Sequence, residues 1–289
     1  MKPPPFRYTR PGTVQETLEL LARYGATARI LAGGQSLVPA MNARVAHPGV
    51  LIDINRVPGL DGIDAPTGGG LVIGAMARQA AVEHSRDVQV RQPIVAEAVS
   101  WIGWPQVRNR GTFGGSLAQA DRHAELPAVA LLLGAALRAR SVRGARTIAA
   151  DDFFTGAGNT LDPDELLVDV TLPAAPVNSG AAFLEVCRRA SGVPVVAVAA
   201  RVILRDDGAI DRAEATIAGA APRAIRAEGL EALTGQAPSD AAFAEAGRAA
   251  AAGREVDPYE NVHGDARYRR HLVSVLTRRA LAQAAARAA

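Results

Sequence analysis

The sequence is poor in lysine, cysteine and aromatic residues, and each shortage closes off a class of chemistry. Lys2 is its only lysine, so no interior amine can form a Schiff base or grip a phosphate from a Walker A loop. Cys187 stands alone. One thiol makes no internal disulfide and cannot by itself hold an iron–sulfur cluster or a structural zinc, which points to a reducing compartment. Aromatic residues make up 4% of the chain, little material for a substrate pocket. The longest apolar run, Leu126 to Leu137, is interrupted by Pro127 and Gly134 and is too short to span a bilayer. The opening MKPPPFRYTRPGT has no apolar stretch of signal-peptide type, so a cytoplasmic protein without an integral membrane segment is expected. Charge names no partner: 32 Lys plus Arg against 29 Asp plus Glu leave +3, no reason to expect nucleic acid.

What is present reads as an ordered globular chain. Its 289 residues, 48% hydrophobic, can bury a sizeable core in two domains or in one with subdomains. TVQETLELLARYG predicts an amphipathic helix: Thr13 and Glu16 form a capping box, Val14, Leu18 and Leu21 share a face, and Gly25 stops it. ARILAGG predicts a short buried strand ending in Gly33 and Gly34, with Ser36 placed to cap the next helix, and VLIDIN a second strand over Val50 to Ile54. GGGLVIGA reads as a hairpin strand, and residues 80–102 as one or two helices broken around Pro93. A buried helix then runs into a strand at AELPAVALLLGAALRARS, and Asp164 to Pro173 predicts another strand. Pro173, Pro176, Asn178 and Gly180 mark a linker, which puts a domain boundary near residue 177. Beyond it the pattern predicts three strands, with Asp206, Asp207 and Gly208 turning the second into the third. A helix capped by Ser239 follows, then a closing one that spaces Leu272, Val275, Leu276 and Leu281 helically.

Two glycine pairs carry the clearest chemical signal. ILAGGQSLVPAM at residues 30–41 and GTFGGSLA at 111–118 each set Gly-Gly after an apolar stretch and just before Ser-Leu. Glycine has no Cβ to hold a phosphate away, and unpaired amides at a turn or helix start favour an anion. Gly33, Gly34 and Ser36 would then cradle one side of a diphosphate, and Thr112, Gly114, Gly115 and Ser116 approach the other. Both pairs also fit plain tight turns. A Rossmann fingerprint is missing, since no G-x-G-x-x-G follows the first strand.

The other polar groups are less telling. Asp121, His123 and Glu125 alternate, as metal ligands on an extended segment would, but three such residues need more from elsewhere. A carboxylate that accepts ribose hydroxyls suits Glu125 better, with a helix cap as the other reading. Cys187 beside Val186 reads as a small hydrophobe. Arg188 and Arg189, adjacent in a strand, face opposite ways, so at most one reaches a shared ligand. RYRRHL at 267–272 reads as a solvated or subunit-facing surface. The five histidines are scattered, and no nucleophile–base–acid set is legible.

Taken in order, ILAGGQSLVP, LIDINRVPGL, LVIGAMAR, VRNRGTFGGSLAQADRHAELPAVALLLGA, DELLVDVTLP and YRRHLVSVLTRRAL resemble the FAD-binding medium subunits of molybdenum hydroxylases, across nearly the whole chain. The resemblance implies an α+β fold: a two-subdomain FAD-binding domain of vanillyl-alcohol-oxidase type over residues 1–176, subdomains about 1–59 and 60–176, then a C-terminal domain of the carbon monoxide dehydrogenase flavoprotein type over 177–289, with a three-stranded antiparallel sheet and helices. It implies FAD as cofactor. Leu31, Ala32, Gly33, Gly34, Gln35, Ser36, Leu37 and Val38 would be one diphosphate segment and Thr112, Phe113, Gly114, Gly115 and Ser116 the other. Glu125 matches a carboxylate near the ribose and adenine end, Leu166 or Leu167 packs close to the cofactor, and Asp121 shares the Glu125 loop. The implied activity is electron transfer in a heterotrimer, doubled to a dimer of heterotrimers, with molybdenum pterin on a large partner and iron–sulfur clusters on a small one. The alternatives are a self-contained FAD-dependent oxidase and a nucleotide-binding module without redox work. Two departures stand out. Leu184 occupies a place where some relatives carry lysine. Ser191, Gly192, Val193 and Pro194 offer no ring where many relatives lay an aromatic over the flavin.

Overall fold

The protein is described by a computed structural model over residues 2–156 and 158–289. Its first unit comprises β1 (Arg7–Thr9), α1 (Val14–Tyr24), β2 (Ala28–Leu31), α2 (Leu37–Asn42) and β3 (Val50–Asp53). The strands form a parallel sheet in the order β1-β3-β2. Thr13 Oγ1 accepts from Glu16 N at 3.1 Å, as the sequence predicts. Glu16 instead returns its carboxylate to Gly12 N at 2.7 Å, so the reciprocal bond is shifted by one residue. Leu18 and Leu21 of α1 join Ile52 of β3 in one core, which orients β2 so that its C-terminal glycine turn faces the second unit.

The second unit runs through β4 (Ile63–Asp64), β5 (Leu71–Gly74), α3 (Gln79–His84), α4 (Arg86–Arg91), α5 (Pro93–Trp101), α6 (Pro105–Arg108), α7 (Phe113–Gln119), α8 (Glu125–Leu133), β6 (Ala136–Ser141), β7 (Gly144–Ala149), α9 (Ala150–Phe153), β8 (Phe154–Thr155), β9 (Gly158–Asn159) and β10 (Leu166–Leu172). Its main sheet is antiparallel, in the order β4-β5-β10-β6-β7. The stretch predicted as one or two helices is three. Pro93 opens α5, and Ser85 breaks the chain a second time by accepting from Val88 N at 3.4 Å as the cap of α4. Every residue of α8 is buried; Pro127 sits in its first turn, where an N–H is not needed.

The third unit contains β11 (Ser179–Cys187), β12 (Pro194–Leu204), β13 (Ile210–Ala218), β14 (Ile225–Arg226), α10 (Asp240–Ala251) and α11 (Ala266–Ala288). Three long antiparallel strands carry a two-residue fourth, β14, at the edge. Ser239 and Asp265 cap the two helices. In α11 the buried valine is Val273, while Val275 is only half-buried.

The expectation of a surface at RYRRHL is overturned at Arg269, which is fully buried. Its guanidinium donates to Val195 O and to Gly219 O, the latter at 2.9 Å, and to Asn261 Oδ1 at 2.9 Å. A buried cation persists because these acceptors replace water. The second and third units are joined by Thr216 Oγ1 donating to Ala128 O at 2.7 Å and by Arg287 of α11 paired with Glu97 of α5 at 2.8 Å. Among the described residues, no helix is long and apolar enough to cross a membrane.

Candidate functional site

A cavity of about 790 Å³ lies between the end of β2, the start of α7 and the β11–β12 loop. Its walls include Ala28 and Arg29 in one stretch, both glycine turns, and Glu125, Leu166, Leu167 and Ser191 to Pro194 in another.

The two turns touch, and they are not equivalent. A Cβ on Gly33 would lie 2.9 Å from Gly111 Cα and closer still to Arg110 O, so glycine is required there by the opposite loop rather than by a ligand. Gly34 takes φ +74, which a side chain would strain. Among the described residues, no acceptor is found for the main-chain N–H groups of Gly33, Gly34, Gln35, Ser36 or Leu37. Ser36 occupies the cap position of α2, but its hydroxyl makes no capping bond. The second turn uses its amides internally. Phe113 N donates to Ala77 O, Gly114 N to Ala75 O (both 2.9 Å), Ser116 N to Thr112 O at 3.2 Å and Gly115 N to Thr112 Oγ1 at 3.1 Å. A Cβ on Gly114 would fall 2.5 Å from Ala75 Cβ, so this glycine lets α7 sit on the end of β5.

Of the residues singled out from sequence, Ala32, Gly33, Gly34, Gln35, Ser36, Leu37, Thr112, Gly114, Gly115, Ser116, Asp121, Glu125, Leu166 and Leu167 line the cavity. Leu31, Val38 and Phe113 do not. Phe113 is buried in the central core, Val38 is exposed, and Leu31 offers its carbonyl to Ile54 N. Leu166 and Leu167 enter beside a register shift that interrupts the β10–β6 pairing after Leu167.

Asp121, His123 and Glu125 all line the cavity but bond to different partners. Asp121 Oδ1 accepts from His123 N at 2.8 Å. The His123 ring hydrogen-bonds the Tyr259 hydroxyl through Nε2, with Arg122 and Arg269 stacked on the Tyr259 ring at 4.8 and 4.4 Å. Glu125 is the first residue of α8, behind the cap position held by Ala124. Burial pushes its carboxyl up to about 8, and the neighbouring Glu185 charge adds to this. Glu185 is itself raised to about 7 by burial, although the Cys187 thiol donates to it at 2.8 Å. Burial and Glu185 raise the Cys187 thiol, which makes it a poor nucleophile.

Gln79, Asn159 and Leu161, which the sequence does not single out, also line the cavity. Gln79 is buried with Oε1 unpaired, hard against Gly111; its only sequence signal is its place after GAMAR. Ser191 to Pro194 do line the cavity, without an aromatic ring, and Val193 is exposed. Neither Arg188 nor Arg189 lines it; Arg188 donates to Val262 O at 2.8 Å. Leu184 packs partly buried against the C-terminal core.

Known proteins resemble the chain over nearly its whole length. The family described as FAD binding domain in molybdopterin dehydrogenase matches residues 4–175, and the CO dehydrogenase flavoprotein C-terminal domain matches residues 181–284. The 6-hydroxypseudooxynicotine dehydrogenase complex subunit alpha of Paenarthrobacter nicotinovorans is 42% identical over 290 residues, covering 100% of this chain and 97% of that one. The carbon monoxide dehydrogenase medium chain of Hydrogenophaga pseudoflava is 38% identical over 291 residues, covering 100% of both. The solved carbon monoxide dehydrogenase from Hydrogenophaga pseudoflava superposes with a TM-score of 0.95 at 38% identity over 100% of each chain. Quinoline 2-oxidoreductase from Pseudomonas putida 86 superposes at 0.93, with 32% identity over 99% of each. The chain therefore belongs to the family of FAD-binding medium subunits of molybdenum hydroxylases.

Proposed function

We propose that the chain holds FAD along the 790 Å³ cavity and acts as the electron-transfer subunit of a heterotrimeric molybdenum hydroxylase. The observation that carries this reading is the run of unpaired N–H groups from Gly33 to Leu37 in the cavity wall, beside a second glycine turn. Such a run suits a diphosphate. In this reading the first turn supplies the donors, while Thr112, Gly114, Gly115 and Ser116 supply a close wall. Leu31, Val38 and Phe113 act through shape from behind it. Glu125, neutral through burial, presents a carboxyl that donates as well as accepts, beside Asp121, Leu166 and Leu167.

We take residues 1–176 as the FAD-binding domain, with subdomains about 1–59 and 60–176, and residues 177–289 as the C-terminal domain. Bound FAD supplies the exchange between one-electron and two-electron transfer. With one cysteine in the chain, the iron–sulfur clusters belong to a small partner and the molybdenum pterin to a large one, where substrate is hydroxylated. The assembly is a dimer of heterotrimers, and the lone thiol fits a cytoplasmic setting.

The test is to produce the chain with its partner subunits, add a substrate of the large subunit and follow the flavin absorbance. Bleaching before acceptor is added is the expected result. Flavin that stays oxidised while the clusters are reduced would mark a non-redox module, and turnover by this chain alone would mark a self-contained oxidase.

A further inference from the structure

Two side chains outside the cavity tie its glycine turns to each other. Asn55, just past β3, donates from Nδ2 to Ala32 O at 2.9 Å and to Leu31 O at 3.3 Å, the carbonyls that lead into Gly33. The same amide nitrogen donates to Asp53 Oδ1 at 2.6 Å. Those bonds fix the amide, with Oδ1 as the acceptor facing Arg78, whose Nη2 donates to it at 2.7 Å. The other arm of that guanidinium, Nη1, donates to Arg110 O. Arg110 O is the carbonyl against which Gly33 packs. Arg78 also bridges Thr112, and the next residue, Gln79, donates its N–H to Gly111 O at 3.0 Å.

The linkage therefore closes on itself. It runs from Ala32 through Asn55 and Arg78 to Arg110, then returns to Gly33 by direct contact. We infer that Asn55 and Arg78 are positioning residues that set the spacing of the two glycine turns, so that the Gly33–Leu37 amides and the Gly115 wall meet one ligand at once. This rests on the FAD reading above. It requires a planar fork, because the two acceptors sit on different segments and need donors on different nitrogens; a lysine ammonium offers one point. Spacing errors far smaller than a residue are enough to weaken a site held from two sides.

The full chain, stripped of flavin, should be titrated with FAD and followed by flavin fluorescence, alongside Asn55→Ala, Arg78→Ala, Arg78→Lys and the Asn55→Ala/Arg78→Ala double variant. Each single variant should raise the Kd for FAD by about tenfold or more. Arg78→Lys should stay weakened, and the double variant should be no worse than its weaker parent, since both cut one linkage. A merely structural role would lower the melting temperature and leave the Kd of the folded protein unchanged, which would overturn the inference. Full recovery in Arg78→Lys would overturn it too. If the alanine variants do not fold, Arg78→Lys and Asn55→Ser carry the same comparison. Failure of the parent chain to bind FAD would instead refute the cofactor reading, a result distinct from variants that bind as the parent does.

Discussion

Gly33 and Arg110 are in direct backbone contact: a Cβ on the glycine would lie 3.0 Å from the Arg110 carbonyl carbon and closer to its oxygen. The pair of turns is thus a packed unit before any ligand arrives. Gly33→Ala should push the loops apart, costing roughly 1–3 kcal/mol of stability and weakening FAD by about tenfold or more. Thermal unfolding and FAD titration of the same preparation check both halves.

Gly34→Val and Gly115→Val should each lose FAD, for different reasons. Gly34 is held at φ +74, where a β-branched residue is strained by at least about 1–2 kcal/mol. At Gly115 the new side chain meets Thr112 Oγ1 and takes away the α7 cap, worth about 1 kcal/mol. Flavin content after gel filtration reads the outcome, and full occupancy in both would remove the turns from the site.

Glu125 makes stability depend on pH. Its folded-state value of about 8 lies above its ordinary 4.5 because of burial, so the folded chain binds a proton that the unfolded chain has released. The benefit is complete below about pH 4 and is lost as pH rises through about 8. The melting temperature of the flavin-free chain should fall over that window, and Glu125→Gln, which stays neutral, should flatten the fall. Glu185, raised to about 7, acts in the same direction and keeps part of the slope. An unchanged slope in Glu125→Gln would show that the carboxyl is already ionised when folded.

Arg269→Met should be among the most damaging single changes. It leaves Val195 O and Gly219 O without the donor that Arg269 brings into the buried end of α11, at roughly 3 kcal/mol or more. Urea unfolding measures it. A loss under about 1 kcal/mol would mean that water reaches those acceptors.

Much of this was legible in the sequence where short-range physics decides. Thr13, Ser239 and the Asp206–Gly208 turn announce their elements, because caps and hairpin turns are set by adjacent residues. The glycine pairs announced a cavity wall as well. Their difference did not show: whether an amide is free depends on Ala75 and Ala77 reaching the second turn from another strand's end. Arg269 departs from its sequence pattern for the same reason. Its charge pattern is that of a surface helix, and only the docking of α11 on β12 and the end of β13 supplies carbonyls to bury it. Gln79, marked only by its place after GAMAR, and Asn159 stay hidden in the sequence, since nothing in their neighbours places them on the cavity wall.

The most direct measurement is the FAD stoichiometry of the flavin-stripped full chain, with folding verified by circular dichroism. Saturation at about one FAD per chain, reached in Gly33→Ala only at about tenfold higher FAD or more, is the expected result. A folded chain that takes up no FAD at micromolar concentration would contradict the assignment of the cavity.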